Sequence, residues 1–381
     1  MKMKIKFIFL LLCSIFVLTG CSSITNNEIY NKTYNVDVDI TTIGDAFVPA
    51  VEIATEATLG VNTYSRRSLL DSWGLDSVGS CVVYEAVAVL KDGTRVNYLE
   101  TLDSNNVNYY EYKAVTNAHV INNDSTIVKY TVHIGSSNRQ LEATLLGKDK
   151  VIDLAVLTFI DTTLITPIKI ADSDKVKKGQ IVLAVGNPSG YEYYSSATMG
   201  IVSFPKRYVV EENYDMEYIQ HDAAINPGNS GGSLVNINGE LIGINTAKIV
   251  EDEVDAIGFA IPSNTVLKVI DRLENNQNII KKTTGIEGEN ISDIKNDLLF
   301  YEKNYSDDIY ELEFGVYVRS VNFGSALLFK VYQDDVIVKV DDKDLYSLAE
   351  LNYLFMLSEK NQVFTLQVYR DGSYQNVQIK I

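Results

Sequence analysis

From about residue 45 to 260 the chain is made of short, β-branched apolar runs cut by turn residues: ATLGVNTY (57–64), YEAVAVLKDGTRVNYLE (84–100), STIVKYTVHI (125–134), DLAVLTFI (153–160), QIVLAVGNP (180–188) and GELIGINT (239–246). Runs of this length without long helices between them suit antiparallel strands and argue against a parallel sheet, whose crossovers need helical connections. Lys91-Asp92-Gly93 and Asn238-Gly239 are hairpin signals, because their glycines supply the positive φ that tight turns require. The expected fold is mostly β, built as barrels or a sandwich.

The pattern changes at Ile261-Pro262-Ser263. Ser263 is placed to cap a helix over NTVLKVIDRLEN, where Val266, Ile270 and Leu273 recur at helical spacing. The last hundred residues read as a second, α+β unit. Its strands lie around GVYVRSV and DDVIVKV, its helix around SLAELNYLFML, and its closing hairpin turns at Asp371-Gly372.

The amino terminus combines Lys2, Lys4 and Lys6, the apolar run FIFLLLCSIFVL and the small-residue stretch Leu18-Thr19-Gly20-Cys21. That is the layout of a secretory signal, too short for a comfortable membrane span. Residues 22–44 are polar and suit a tether. With Cys13 in the signal and Cys21 at the cleavage site, Cys81 is left alone, so no intramolecular disulfide is expected. The formal charge of −17 repels phosphate backbones and argues against a nucleic-acid partner.

The segment HDAAINPGNSGGSL (221–234) surrounds Ser230 with Gly228, Gly231 and Gly232. A nucleophilic serine needs a base within reach and donors aimed at the oxyanion. Glycines allow a tight turn in which the N–H groups of Gly228 and Ser230 converge on one point. GNSGG also fits the G-x-S-x-G elbow of α/β-hydrolases, but that fold needs its histidine after the serine, and His119, His133 and His221 all precede it. An acid, histidine, serine order on an α/β sheet stays formally open, though the strand density opposes it.

His119, in AVTNAHVI, stands where an apolar strand runs into small residues and is the preferred base. His133 alternates within KYTVHIG as a strand-face residue, and His221 belongs to the strand before the serine loop. Asp153 opens the strand DLAVLTFI and is placed to be buried behind a histidine, whereas Asp149 reads as a solvated turn residue and Asp161 as a turn after the strand. The order His119, Asp153, Ser230 is that of chymotrypsin-like enzymes. Such a constellation needs neither metal nor cofactor.

The motifs VTNAHVI, GKDKVIDLAVL, VLAVGNPSG, MGIVS, IQHDAAINPGNSGGSL, GELIGINT and IGFAIP occur in order, and together they resemble the HtrA (Deg) serine proteases over residues 45–275. The final part, residues 280–381, resembles the PDZ domain that follows the protease in that family. LTGC resembles the bacterial lipobox, which implies a signal peptide over 1–20, lipidation of Cys21, a tether over 21–44 and location on the outer face of the membrane.

The resemblance implies a chymotrypsin-like double β-barrel with its active site between the barrels, followed by an α+β PDZ domain. His119 would be the general base, Asp153 its orienting carboxylate, Ser230 the nucleophile, and Gly228 and Ser230 the oxyanion-hole donors. Ala224 and Ile225 would form the primary specificity pocket, with no carboxylate to receive Lys or Arg, so cleavage after small or medium aliphatic residues is expected. Asn229 replaces the aspartate that digestive relatives pair with a new amino terminus. Thr284-Gly285-Ile286 is the expected carboxylate-binding loop of the PDZ domain.

The implied activity is ATP-independent endoproteolysis of unfolded or damaged exported proteins, with peptide C-termini bound at the PDZ domain and trimerisation near Phe47. A non-catalytic chaperone or PDZ scaffold is the rival from another class. Four departures from the family pattern stand out: Gly79-Ser80-Cys81 for Gly-Ser-Gly, His221 for a customary threonine, Asp334 for a glycine, and YLETLDSNNVNYYEY as an insertion before the base.

Overall fold

The computed structural model describes residues 47–381 except 98–103, 122–126, 136–138, 188–194, 212, 248–255, 278, 280 and 297–304. The signal, Cys21 and the tether lie outside the described residues.

A helix, α1 (Val48–Ala57), leads directly into the first barrel. Its strands are β1 (Thr58–Arg66), β2 (Gly74–Leu90), β3 (Arg95–Asn97), β4 (Val107–Thr116), β5 (Ile127–Ile134), β6 (Arg139–Asp149) and β7 (Leu154–Asp161). They pair in the order β1-β5-β6-β7-β4-β2-β3, and a further β1–β2 pairing closes a ring of six with β3 appended to β2. The second barrel is closed, in the order β10-β13-β12-β11-β8-β9. It is formed by β8 (Ile181–Gly186), β9 (Ser196–Glu211), β10 (Tyr214–His221), β11 (Ser233–Val235), β12 (Leu241–Thr246) and β13 (Gly258–Pro262).

The continuous apolar runs follow from burial on both faces. Successive side chains of a strand point to opposite sides. Val83, Ala114, Ala155 and Leu157 fill the first barrel, whereas Val82, Val115, Leu154 and Val156 face a second core shared with the other barrel. In β8 the alternation repeats: Val182 and Ala184 point into the second barrel, and Leu183 and Val185 into the shared core. A cleft between two barrels therefore has apolar walls beneath it on both sides.

The expected insertion before His119, residues 98–112, ends in sheet, and its residues 98–103 lie outside the described residues. Residues 107–112 belong to β4, which pairs with β2 and β7, so the tyrosine-rich half is a barrel strand and not a flap over the cleft. Tyr112 is buried and stacks on Phe159 with ring centroids 5.1 Å apart.

After the second barrel, α2 (Ser263–Glu274) buries Val266, Val269, Ile270 and Leu273 in the shared core. Ser263 does not cap it. Pro262, with extended ψ, takes the N-cap position, and the Ser263 hydroxyl donates instead to the carbonyl of Ala171 at 2.6 Å.

The last unit contains β14 (Ile286–Asn290), α3 (Ile291–Asn296), α4 (Asp307–Glu311), β15 (Val316–Val321), β16 (Val336–Val340), β17 (Lys343–Asp344), α5 (Leu348–Met356), β18 (Val363–Arg370) and β19 (Ser373–Lys380). The sheet runs β14-β15-β16-β18-β19 with β17 on β16, so β14 is an edge strand. Ser347 caps α5, its hydroxyl accepting from the Glu350 N–H at 3.1 Å. Asp334 adopts φ of 71°, the left-handed conformation that explains why a glycine is usual there.

This unit is fastened to the second barrel. Tyr353 and Met356 of α5 and its C-cap Leu357 join the shared apolar core, and Asn352 Nδ2 donates to Asp215 Oδ2 of β10 at 2.8 Å.

Candidate active site

His119 and Asp153 are brought together by two turns that hydrogen-bond to each other. The Asp153 carbonyl accepts from the Ala118 N–H at 3.1 Å and from Asn117 Nδ2 at 3.0 Å. Its carboxylate is bidentate: Oδ1 accepts the His119 backbone N–H at 3.0 Å, and Oδ2 lies 2.8 Å from His119 Nδ1. This fixes the imidazole with Nε2 free to face the cleft. Asp153 is buried and adopts φ of 59°, a left-handed conformation that aspartate tolerates better than most side chains.

Asp149 was expected in a solvated turn and is instead buried. Its Oδ1 accepts the N–H groups of Val151 and Ile152, each at 3.0 Å, and its Oδ2 pairs with Lys281 Nζ at 2.6 Å. It builds the turn that presents Asp153. Asp161 is also buried, in an ion pair with Arg139. Neither carboxylate has a contact with a histidine among the described residues.

Ser230 sits on a turn whose sequence dictates its form. Pro227 and Gly228 occupy the central positions, Gly228 has φ of 103°, and the Asn229 N–H donates to the Asn226 carbonyl at 2.9 Å. These are the features of a type II turn, in which the second central residue must take positive φ. The N–H groups of Gly231 and Gly232 are also used, donating to Asn245 and Asn229 carbonyls at 2.9 Å. Those of Gly228 and Ser230 have no acceptor among the described residues. Two unspent donors therefore flank the serine.

Gly231 has no room for a side chain: an added Cβ would lie 2.1 Å from the Ser80 carbonyl oxygen. That contact belongs to a seam between the barrels. The Ser80 N–H donates to the Ser230 carbonyl at 2.8 Å, and the Thr116 hydroxyl donates to the Ser80 carbonyl at 2.6 Å. Cys81, beside it, is fully buried, and desolvation pushes its thiol far above the usual range, which makes it an inert packing residue.

The serine and the acid are held from one strand end. The Thr246 hydroxyl donates to Asp153 Oδ2 at 3.3 Å, and the N–H of the next residue, Ala247, donates to Ser230 Oγ at 3.1 Å. No hydrogen bond joins Ser230 to His119 among the described residues. The sequence assigns no role to Thr246 or Asn117: each lies within a quoted apolar motif, where nothing in the local pattern distinguishes a supporting hydroxyl or amide from an ordinary strand residue. Ser80 is marked there only as part of a departure from the family pattern.

Ala224 is exposed beside the turn, and its carbonyl accepts from Thr198 Oγ1 at 2.9 Å. Ile225 is half-buried, and its Cγ1 approaches within 3.0 Å of the point where a Gly258 Cβ would stand; His221 Cε1 lies 2.5 Å from the same point. His221 is fully buried. Neither ring nitrogen makes a hydrogen bond among the described residues, although the backbone of Ala223 and Phe259 is close, and burial holds its pKa down at about 4.

In the carboxy-terminal unit, Thr284 Oγ1 donates to Asn352 Oδ1 of α5 at 2.5 Å. Gly285 has φ of 65°, its carbonyl accepts from the Asn322 N–H at 2.7 Å, and Ile286 starts the edge strand β14. The loop is therefore tied to α5 on one side and leads into the edge strand β14 on the other.

The comparisons with known proteins agree on what this architecture is. Residues 104–244 match the trypsin-like peptidase domain and residues 283–381 match the PDZ domain. The serine protease Do-like HtrA of Lactococcus lactis subsp. cremoris is 30% identical over 380 residues, covering 94% of this chain and 86% of that protein. The periplasmic serine endoprotease DegP of Escherichia coli is 36% identical over 270 residues, covering 70% of this chain and 54% of that protein. Among solved structures, the HtrA-type protease AlgW with tripeptide superposes with a TM-score of 0.58 at 27% identity, over 87% of this chain and 95% of that one. Similarity that spans both domains and nearly the full length of a relative assigns the chain to the HtrA/Deg family of serine endopeptidases.

Proposed function

We propose that Ser230 is the nucleophile of this endopeptidase, His119 its general base and Asp153 the carboxylate that orients and stabilises the imidazolium. Ser230 Oγ leaves its Ala247 contact when substrate enters and attacks the scissile carbonyl. His119 takes the proton and returns it to the leaving amine, and water repeats the cycle on the acyl-enzyme. The observation that supports this reading most is the pairing of a fixed His119–Asp153 couple with two unspent N–H donors, Gly228 and Ser230, on the serine turn. Those donors would hold the oxyanion.

Ala224 and Ile225 form the primary specificity pocket in this reading, and the absence of a carboxylate at either position favours small or medium aliphatic side chains over Lys or Arg. The substrates are unfolded or damaged exported proteins. The enzyme acts at the outer face of the cell membrane, held by lipid on Cys21, and Phe47 contributes to a trimer contact.

The edge strand β14 accepts a peptide C-terminus as an added strand, with Thr284-Gly285-Ile286 at the carboxylate end. A solved relative, AlgW, was obtained with a decapeptide, which supports peptide recognition in this architecture. The test is labelling by a fluorophosphonate probe. Wild type should label and Ser230→Ala should not, and wild-type protein that never labels would favour a non-catalytic chaperone. Faster cleavage after Arg than after Val would overturn the pocket assignment.

A further inference from the structure

Between β1 and β2 the chain reads RRSLLDSWGL (66–75). The connection is neither covered nor loose. Leu70 is 97% exposed and Leu69 73%, with Trp73 and Leu75 also exposed. The Arg66 guanidinium lies 4.4 Å over the Trp73 ring and its Nη1 donates to the Leu69 carbonyl at 3.2 Å. The Ser68 N–H donates to Asp71 Oδ2 at 2.8 Å, and the Asp71 N–H returns a bond to the Ser68 carbonyl at 3.2 Å. A braced turn thus holds two leucines away from the barrel with a tryptophan and two arginines behind them.

Isolated exposed apolar residues are ordinary on a protein surface, but four within seven positions on one rigid projection are not. The chemistry fits one occupant. Leucines at the tip, a tryptophan behind them and arginines at the base follow the depth profile of a bilayer: acyl chains, interface, anionic headgroups. Arg66 and Arg67 against Asp71 alone leave this turn positive on a chain whose formal charge is −17. The net charge of the chain is repelled by anionic lipid, whereas this turn is attracted.

We propose that the β1–β2 turn is a membrane-docking wedge that inserts Leu69, Leu70 and Trp73 into an anionic phospholipid surface. The inference rests in part on the reading of Cys21 as the lipid-bearing residue, because that supplies the second contact. One acyl anchor alone gives only marginal binding, and a second weak element makes it stable. β1 sets the turn about 30 Å from the point where α1 enters the barrel. Gly79, at the barrel seam beneath Ser230, lies five residues along β2 from its first residue, which sets the cleft about 17 Å above the docked turn. The enzyme would then meet polypeptides as they emerge beside the membrane.

Trp73 is the single tryptophan of the chain, so its fluorescence reads this turn alone. The full-length protein is mixed with vesicles of phosphatidylglycerol and phosphatidylcholine bearing brominated acyl chains. Trp73 emission should shift to the blue and be quenched, less so with phosphatidylcholine alone. Leu69→Ser with Leu70→Ser should weaken the quenching at least about tenfold while leaving cleavage of a soluble peptide unchanged, since burying two leucines is worth several kcal/mol of transfer. Vesicle sedimentation reads the anchor separately: protein that sediments with vesicles while Trp73 stays unquenched overturns the wedge and leaves the anchor standing. A blue shift that arises without lipid, on raising protein concentration or on adding an unfolded substrate, also overturns it, by assigning the turn to a second copy or to substrate.

Discussion

The Ser80 hydroxyl donates a 2.7 Å hydrogen bond to the carbonyl of Gly228 and accepts from the Asn187 backbone N–H at 2.9 Å. A first-barrel residue thereby fixes the peptide plane next to the serine turn of the second barrel. Ser80→Ala removes the only donor to that carbonyl among the described residues, and such a loss costs about 1–3 kcal/mol. We expect kcat/KM to fall about tenfold, with most of the loss in kcat, and steady-state kinetics on a peptide substrate checks it.

Gly228 adopts a φ that an L side chain resists. Gly228→Ala should drive the turn toward type I, rotating the central peptide and turning its N–H away from Ser230. A loss of about 10²–10³ in kcat is expected, the usual value of one oxyanion donor. The strain of a side chain at this φ should also lower stability by more than about 1 kcal/mol, and thermal unfolding separates that loss from the loss of rate.

Asp153→Asn would keep the size of the side chain while removing its charge and presenting an N–H₂ to His119. The imidazole then loses the acceptor that holds its Nδ1 proton. A fall of about 10⁴ in kcat is expected from the wrong tautomer. Binding of a peptide inhibitor should be nearly unchanged, and titration calorimetry would reveal otherwise.

His221 and His133 are buried, and desolvation lowers both to about 4. As pH falls below the usual histidine value, the unfolded chain takes up protons that the folded chain refuses, so stability is complete above about pH 6.5 and is lost progressively toward pH 4. Each histidine contributes at most about 3 kcal/mol to that loss. His221→Asn should flatten the acid side of the stability curve. Urea unfolding at pH 7 and pH 4.5 measures it, and an unchanged slope would count against the buried neutral imidazole.

Tyr353 is buried where α5 meets the second barrel, its hydroxyl paired with that of Thr265 and its ring 5.9 Å from that of Tyr208. Tyr353→Ala leaves a cavity at a junction also held by Asn352–Asp215. We expect a loss of about 3–5 kcal/mol, as for other large aromatic truncations. The carboxy-terminal unit should loosen first, seen as faster protease cleavage near residues 275–285.

The barrels were legible because their strands are buried on both faces: a run such as VLAV has no polar side to confuse the pattern. The candidate residues stand out in the sequence for different reasons: His119 beside small residues where an apolar run ends, Asp153 at the opening of another, and Ser230 among glycines. Asp149 was misread because a turn aspartate that accepts two backbone N–H groups looks the same in sequence as one that faces water; only the fold brings Lys281 to it from 132 residues away. Ser263 was misassigned by one position, since Pro262 could equally precede a cap or be one. The tyrosine-rich segment was read as an insertion because its acidic and polar residues hide the alternation that places Tyr110 and Tyr112 inside the barrel.

The Asp149 carboxylate shapes the turn that carries Asp153 with one oxygen and grips Lys281 with the other. A rearrangement of the linker that pulled Lys281 away would strand a negative charge in a low-dielectric spot directly behind Asp153. The two ends of the molecule therefore share a thermodynamic account through a single ionisable group, and whatever swings the carboxy-terminal unit must also settle the solvation of that oxygen.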